Sequence, residues 1–223
     1  MNRGIFVPIG GAESTNTLKQ VIDLVGSRIN VLLITSATSY KDEAEEKYTK
    51  IFGGMDCEVF TIHAVTRDEL DTDTNLSKLD DADFVFFCGG DQSRISNCLL
   101  GTKFLTHMKK LVKSGLVISG TSAGASVMSS HMITGGKETP SIGAGISLVP
   151  DIIIDSHFEE RNRMTRLQKA VDGMGGNRIG LGLSEDAAAI IRKNSIDIIG
   201  SGNVTLIVSD GHKVLRPGDT FRI

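Results

Sequence analysis

Five stretches of the chain are apolar almost without interruption: Gly4–Ile9, Asn30–Thr35, Cys57–His63, Asp83–Cys88 and Leu116–Ser119. A strand with one face in water alternates apolar and polar residues. Short continuous runs of Val, Ile and Phe therefore read as strands buried on both faces. Between them, Thr15–Val25, Lys41–Phe52, Asp91–Leu100 and Lys103–Lys113 read as amphipathic helices. Lys41–Phe52 also carries Glu43–Lys47 and Glu46–Lys50 at i,i+4 spacing, which suits a solvated helix face. Strands that alternate with helices predict an α/β fold on a doubly wound, mostly parallel sheet sandwiched by helices. After Ile179 the texture changes. Gly180–Leu183, Ala187–Arg192, Ile196–Ile199, Val204–Val208 and Val214–Leu215 are short and are punctuated by Asn194, Gly200–Gly202 and Asp210–Gly211. These predict antiparallel strands and hairpins joined to one side of the parallel sheet. No repeat, low-complexity tract or linker interrupts the pattern, so residues 1–223 read as one domain.

Composition narrows the function classes. A net charge of -3 gives no basic footprint for nucleic acid or an anionic membrane surface. No apolar segment approaches the length of a membrane span, and MNRGIFVPIGG is too short in its apolar part for a signal peptide. A cytoplasmic location is the default expectation. Cys57, Cys88 and Cys98 cannot all pair and lack CxxC spacing, so free, reduced thiols are expected. The 25 glycines exceed the usual share and gather at the ends of apolar runs, where α/β proteins place functional loops.

The first candidate chemistry lies in LVISGTSAGASVM, Leu116–Met128. Here a strand runs into Gly120-Thr-Ser122-Ala-Gly124 and then into small helix-forming residues, the context of a G-x-S-x-G nucleophile elbow. The tight turn needs small neighbours and leaves the serine hydroxyl exposed, while the N–H of Ala123 points where an oxyanion would form. A helix beginning near Ala123 would add positive potential. FVFFCGGDQSR, Phe84–Arg94, is a second strand followed by a Gly-Gly loop that can offer another oxyanion N–H.

A serine nucleophile needs a base. His63, His107, His131 and His212 fall at surface or structural positions, whereas His157 follows the apolar run Ile152–Ile154 at another strand end. Arg161, Arg163 and Arg166 come directly after it, and Arg163 and Arg166 share a helical face at i,i+3. Guanidinium groups hold carboxylates bidentately, so an acidic substrate is expected. The third member would be an acid, and GLGLSEDAAAII offers both Glu185 and Asp186. Adjacent residues on an extended segment point to opposite faces, so only one of them can address the histidine.

Other motifs fail. GGAE at Gly10–Glu13 and the Gly89–Gly90 loop lack the dinucleotide and P-loop fingerprints. DTDTN at Asp71–Asn75 starts like a calcium loop, but Leu76 stands where the central Gly belongs and Ala82 where the final Glu belongs. There is no HExxH or comparable cluster, so neither metal nor cofactor is expected.

Taken together, GGAE, GGDQ, GTSAGA, D-x-HF-x-x-R-x-R-x-x-RL and the final Gly-x-Gly-x-x-Glu resemble the cyanophycinase branch of peptidase family S51. That family also contains aspartyl dipeptidase E, and the likeness spans roughly residues 4 to 190. It implies a class I glutamine-amidotransferase-like sandwich and a Ser-His-Glu triad of Ser122, His157 and Glu185. It further implies oxyanion donors at Gly90 and Ala123 and a substrate pocket lined by Gln92, Asp155, Arg161, Arg163 and Arg166. The implied substrate is a peptide rich in aspartate: cyanophycin, whose polyaspartate backbone carries arginine on its β-carboxyls, or aspartyl and isoaspartyl peptides. A homodimer is the one protein assembly expected. The chain departs from the branch at Ser156, where Gln is usual, and at Asn162, where Gly is common; it is also on the short side. Two rivals stand beside this reading. An α/β-hydrolase esterase would order its triad Ser, acid, His, the reverse of His157 and Glu185. A non-catalytic binding module on the same scaffold has no missing triad position to recommend it.

Overall fold

The structure is a computed structural model describing residues 4–175, 178–208 and 211–223. The start of the N-terminal segment and Asp210 of the expected Asp210–Gly211 turn lie outside the described residues. The first half runs β1 (Ile5–Ile9), α1 (Thr15–Ile22), β2 (Asn30–Ile34), α2 (Lys41–Gly53), β3 (Glu58–Ile62), α3 (Arg67–Leu70) and α4 (Asp73–Asp80). It continues with β4 (Phe84–Phe87), α5 (Gln92–Leu99), α6 (Lys103–Ser114), β5 (Val117–Thr121) and α7 (Ala123–Ser126). Then come β6 (His131–Gly135), β7 (Ser141–Ala144), β8 (Ile152–Asp155), α8 (Met164–Met174) and β9 (Ile179–Leu183). The chain closes with β10 (Ala187–Arg192), β11 (Ser195–Gly200), β12 (Val204–Val208), β13 (Gly211–Leu215) and β14 (Thr220–Arg222).

Among the described residues, eight strands form the main sheet in the order β14-β11-β10-β1-β5-β4-β2-β3. The β1-β5-β4-β2-β3 half is parallel throughout. Its unbroken apolarity has the expected cause, since neighbouring residues of each strand enter different cores. Val31, Leu33, Phe84 and Phe86 pack with Leu18 and Val21 of α1 and Tyr48 and Phe52 of α2. Leu32, Ile34, Val85 and Phe87 pack with Leu79, Ile95, Leu99, Phe104 and Met108 from α4, α5 and α6. The helices start where side chains can cap them. Thr102 Oγ accepts from Leu105 N–H and Asp91 from Ser93 N–H, contacts worth about 1 kcal/mol each.

The C-terminal strands depart from the expectation of one added antiparallel edge. Only β10, β11 and β14 join the main sheet. A second sheet of order β13-β12-β9-β8 takes the others, and in it β8 and β9 run parallel. Its Ile152, Ile154, Leu181 and Leu206 share the core of α5 and α6, while Ile153, Phe158, Leu167 and Ile207 form a small core with α8 on its other face. The hairpin of β6 and β7 is a further element that the hydrophobic pattern did not announce. Asp71 of the calcium-like stretch instead accepts the N–H groups of Lys103 and Phe104 and so caps α6.

Candidate active site

β5 lies between β1 and β4 and runs two residues beyond its expected end, delivering Ser122 at its carboxyl edge. Ser122 adopts φ 52 and ψ -105, a conformation that costs a non-glycine residue on the order of 1–3 kcal/mol. The surroundings hold it there. Its N–H donates to Ile9 O at 2.9 Å, and its carbonyl accepts from Ser126 N–H at 3.0 Å. The flanking glycines are a matter of space. A Cβ on Gly120 would come within 2.7 Å of Gly124 O, and one on Gly124 within 2.7 Å of Phe87 Cβ. The helix that follows is a single turn, Ala123–Ser126, so the positive potential expected from a full helix N-terminus is not built here.

Three distant segments converge on this turn. Ser122 Oγ lies 2.9 Å from Nε2 of His157, and His157 Nδ1 lies 2.7 Å from Oε1 of Glu185. A carboxylate only accepts, so Nδ1 carries the proton and Nε2 is left to accept from the serine hydroxyl. The His157 side chain is 14% exposed. The His157 backbone N–H donates to Gly10 O, and a Cβ on Gly11 would meet the ring, 2.6 Å from Nε2. Glu185 and Asp186 occupy a turn and not an extended segment, with Asp186 at φ 55. Asp186 therefore diverges to accept from Ser14 N–H at 2.7 Å and Ser201 Oγ at 2.5 Å. Burial pushes its carboxyl up, but the Ser14, Ser201 and Thr17 donors outweigh it and hold the group below the usual range.

On one side of Ser122 a cavity of about 360 Å³ is lined by Gly90, Gln92, Asp155, Arg161, Arg163 and Arg166, among others. The arginines are not equivalent. Asp155, 1% exposed, accepts from Arg166 Nε at 2.6 Å and Nη2 at 2.5 Å, and from Arg163 Nη1 at 3.2 Å. Two of the three guanidiniums thus already have a carboxylate, and Asp155 acts as their anchor. Arg161 precedes α8, is exposed, and has no ion pair among the described residues. Burial lowers the proton affinity of Arg163; Asp155 opposes that, while Arg166 and Arg161 add to it. Gln92 donates its amide to Ile133 O and Arg166 Nη1 donates to Gly136 O, so the unanticipated β6–β7 hairpin holds two of the pocket side chains. Asn162, where the branch favours Gly, sits at φ 50, a left-handed conformation that Asn tolerates.

A second cavity of about 540 Å³ opens on the other side of Ser122 and His157, bounded by Glu13, Tyr40, Glu43, Lys47, Tyr48 and Cys88. Cys88 does not compete as a nucleophile: burial, then the charge of Glu13, push its thiol up to about 12. Gly90 and Ala123 border Ser122, and among the described residues neither N–H has a partner. Glu13 and Thr121 also line this cavity, and residue types along the chain assign neither of them a role. The available signal was the acid of GGAE, set beside a strand end in a motif that matched no nucleotide fingerprint.

The profile of peptidase family S51 matches residues 8–199. A cyanophycinase of Geminocystis herdmanii is 33% identical over 223 residues, 92% of this chain and 80% of that protein. One from Trichormus variabilis is 33% identical over 214 residues, covering 89% and 72%. The fold is shared with a crystallised peptidase from an acI-B1 actinobacterium, at TM-score 0.81 and 18% identity over 99% of this chain and 97% of that one. It is also shared with a putative peptidase E of Listeria monocytogenes, at TM-score 0.63 and 16% identity over 89% and 98%. Matched by the family over most of its length and by cyanophycinases along nearly all of it, this chain belongs to peptidase family S51 and is a peptide hydrolase.

Proposed function

We propose that the chain is a serine peptidase cleaving aspartyl peptides, with cyanophycin as the substrate and β-Asp-Arg as the product. The observation that carries this reading is the Ser122–His157–Glu185 relay, bonded at 2.9 Å and 2.7 Å, on the edge of an arginine-lined cavity. In the acylation step Ser122 Oγ attacks the scissile carbonyl while His157 Nε2 takes its proton. Glu185 keeps the imidazole oriented and stabilises its protonated form. The N–H groups of Gly90 and Ala123 receive the oxyanion, each donor lowering the barrier by about 3 kcal/mol. The tetrahedral adduct collapses as His157 gives the proton to the leaving nitrogen, and the amine departs. A water then repeats the sequence on the ester, losing its proton to His157 and releasing the acid.

Substrate choice rests with the arginines. Arg161 is the guanidinium free to take a substrate carboxylate, with Arg163 and Arg166 supplying positive potential from fixed positions on Asp155. The free thiols of Cys57, Cys88 and Cys98 suit a reducing compartment, in keeping with a cytoplasmic enzyme. The test is to incubate the protein with cyanophycin, β-Asp-Arg and α-aspartyl dipeptides and to identify products by mass. Release of β-Asp-Arg from the polymer is the predicted result. Turnover of dipeptides alone would move the enzyme to the dipeptidase side of the family, and ester hydrolysis without peptide cleavage would overturn the peptidase reading.

A further inference from the structure

One short segment touches every part of the relay. Ile9 O accepts the Ser122 N–H at 2.9 Å, Gly10 O accepts the His157 N–H at 2.8 Å, and Gly11 O accepts the N–H of Asp186, next to Glu185, at 2.8 Å. The segment ends in Glu13, whose side chain is 2% exposed. The Glu13 carboxylate accepts from Thr121 Oγ1, from Tyr48 Oη at 2.7 Å and from Lys47 Nζ at 3.1 Å. Burial alone would push this carboxyl up, but the three donors outweigh it and hold it below the usual range, so it is ionised at neutral pH. Tyr48 is itself held in place, its ring 4.8 Å from that of Phe86 in β4.

The Glu13–Lys47 ion pair is a weak way to stabilise a fold, because the lysine side chain is half in solvent, which screens most of its attraction. The placement of this one indicates another use. Thr121 is the residue that enters the strained turn at Ser122, and its side-chain bond to Glu13 fixes the turn from the N-terminal side. The bonds to the Ser122 carbonyl fix it from the C-terminal side. We propose that Glu13 is a positioning residue that, through the Thr121 hydroxyl, keeps Ser122 Oγ within reach of His157. This rests on the serine-peptidase reading above.

The test measures the rate at which a fluorophosphonate acylates Ser122, well below the melting temperature of each variant, alongside kcat and KM on an aspartyl peptide. E13Q and T121V are each expected to slow labelling about 10-fold or more and to lower kcat with little change in KM. T121S, which keeps the hydroxyl, should restore most of the rate. The E13Q/T121V double variant should be no slower than the slower single one, because both remove the same contact. Wild-type labelling speed in E13Q or T121V, or two losses that multiply in the double variant, would overturn the proposal. If E13Q does not fold, T121V against T121S decides it alone. Absence of labelling in the wild type would instead defeat the serine-peptidase reading, so the two failures are distinguishable.

Discussion

Glu185 and Asp186 are neighbours with opposite tasks, and a turn of the backbone separates them. Glu185 accepts from His157, while Asp186 ties the start of β10 to Ser14 and Ser201. Glu185→Gln is therefore expected to lower kcat about 100-fold or more with KM little changed, since the amide supports the wrong imidazole tautomer. Asp186→Asn should lower the melting temperature and spare kcat by comparison. Steady-state kinetics beside thermal melts of the two variants checks both. The arginines divide in the same way. Arg161→Met should raise KM for an acidic peptide and leave the fold intact. Arg166→Met leaves the buried Asp155 carboxylate with Arg163 as its one remaining cation among the described residues and should cost about 3 kcal/mol, the low end for breaking a buried pair, in denaturant unfolding. Residue types alone marked Ser122, His157 and the arginine cluster. What they left open was which groups are already satisfied, because the partner of Arg166 is set by tertiary packing and not by spacing along the chain.

At the level of elements, the parallel strands could be read directly, since a strand flanked by two helix layers is apolar on both faces over most of its length. Phe84–Phe87 illustrates the rule, with alternate rings entering the two cores. The second sheet escaped that reading because Ile152–Ile154 and Ile179–Leu183 look the same whichever sheet they join. Pairing is decided by α8 and Phe158 covering their outer face. The β6–β7 hairpin escaped it as well, being short and rich in Gly with a Pro at position 140. At the elbow an element depends on the absence of a single atom. Gly124→Ala places a Cβ against Phe87 in β4, and overpacking of this kind costs about 1–3 kcal/mol. Because the strain falls on the turn itself, activity should be lost before stability. Circular dichroism that stays native beside loss of peptide hydrolysis would bear this out, and wild-type turnover would refute it.

For the molecule as a whole, the carboxylate of Glu13 joins β1, β5 and α2 and makes stability respond to acid. Its proton affinity is lower when folded than when unfolded. Its contribution is therefore complete above the ordinary carboxylate pKa and is lost as pH falls below that value through the folded one. Glu13→Gln has no such titration. The gap in melting temperature between wild type and E13Q should be widest near about pH 7 and should narrow toward about pH 3. A gap independent of pH would mean that the charge is not what the site uses. The most direct test of the central claim, the convergence of Ser122, His157 and Glu185, is peptide mapping by mass spectrometry after fluorophosphonate treatment. The account predicts one adduct on Ser122 in the wild type, formed at least about 1000-fold more slowly when His157 is replaced by Ala. An unmodified Ser122 in an enzyme that still cleaves aspartyl peptides, or labelling at the wild-type rate without His157, would contradict it.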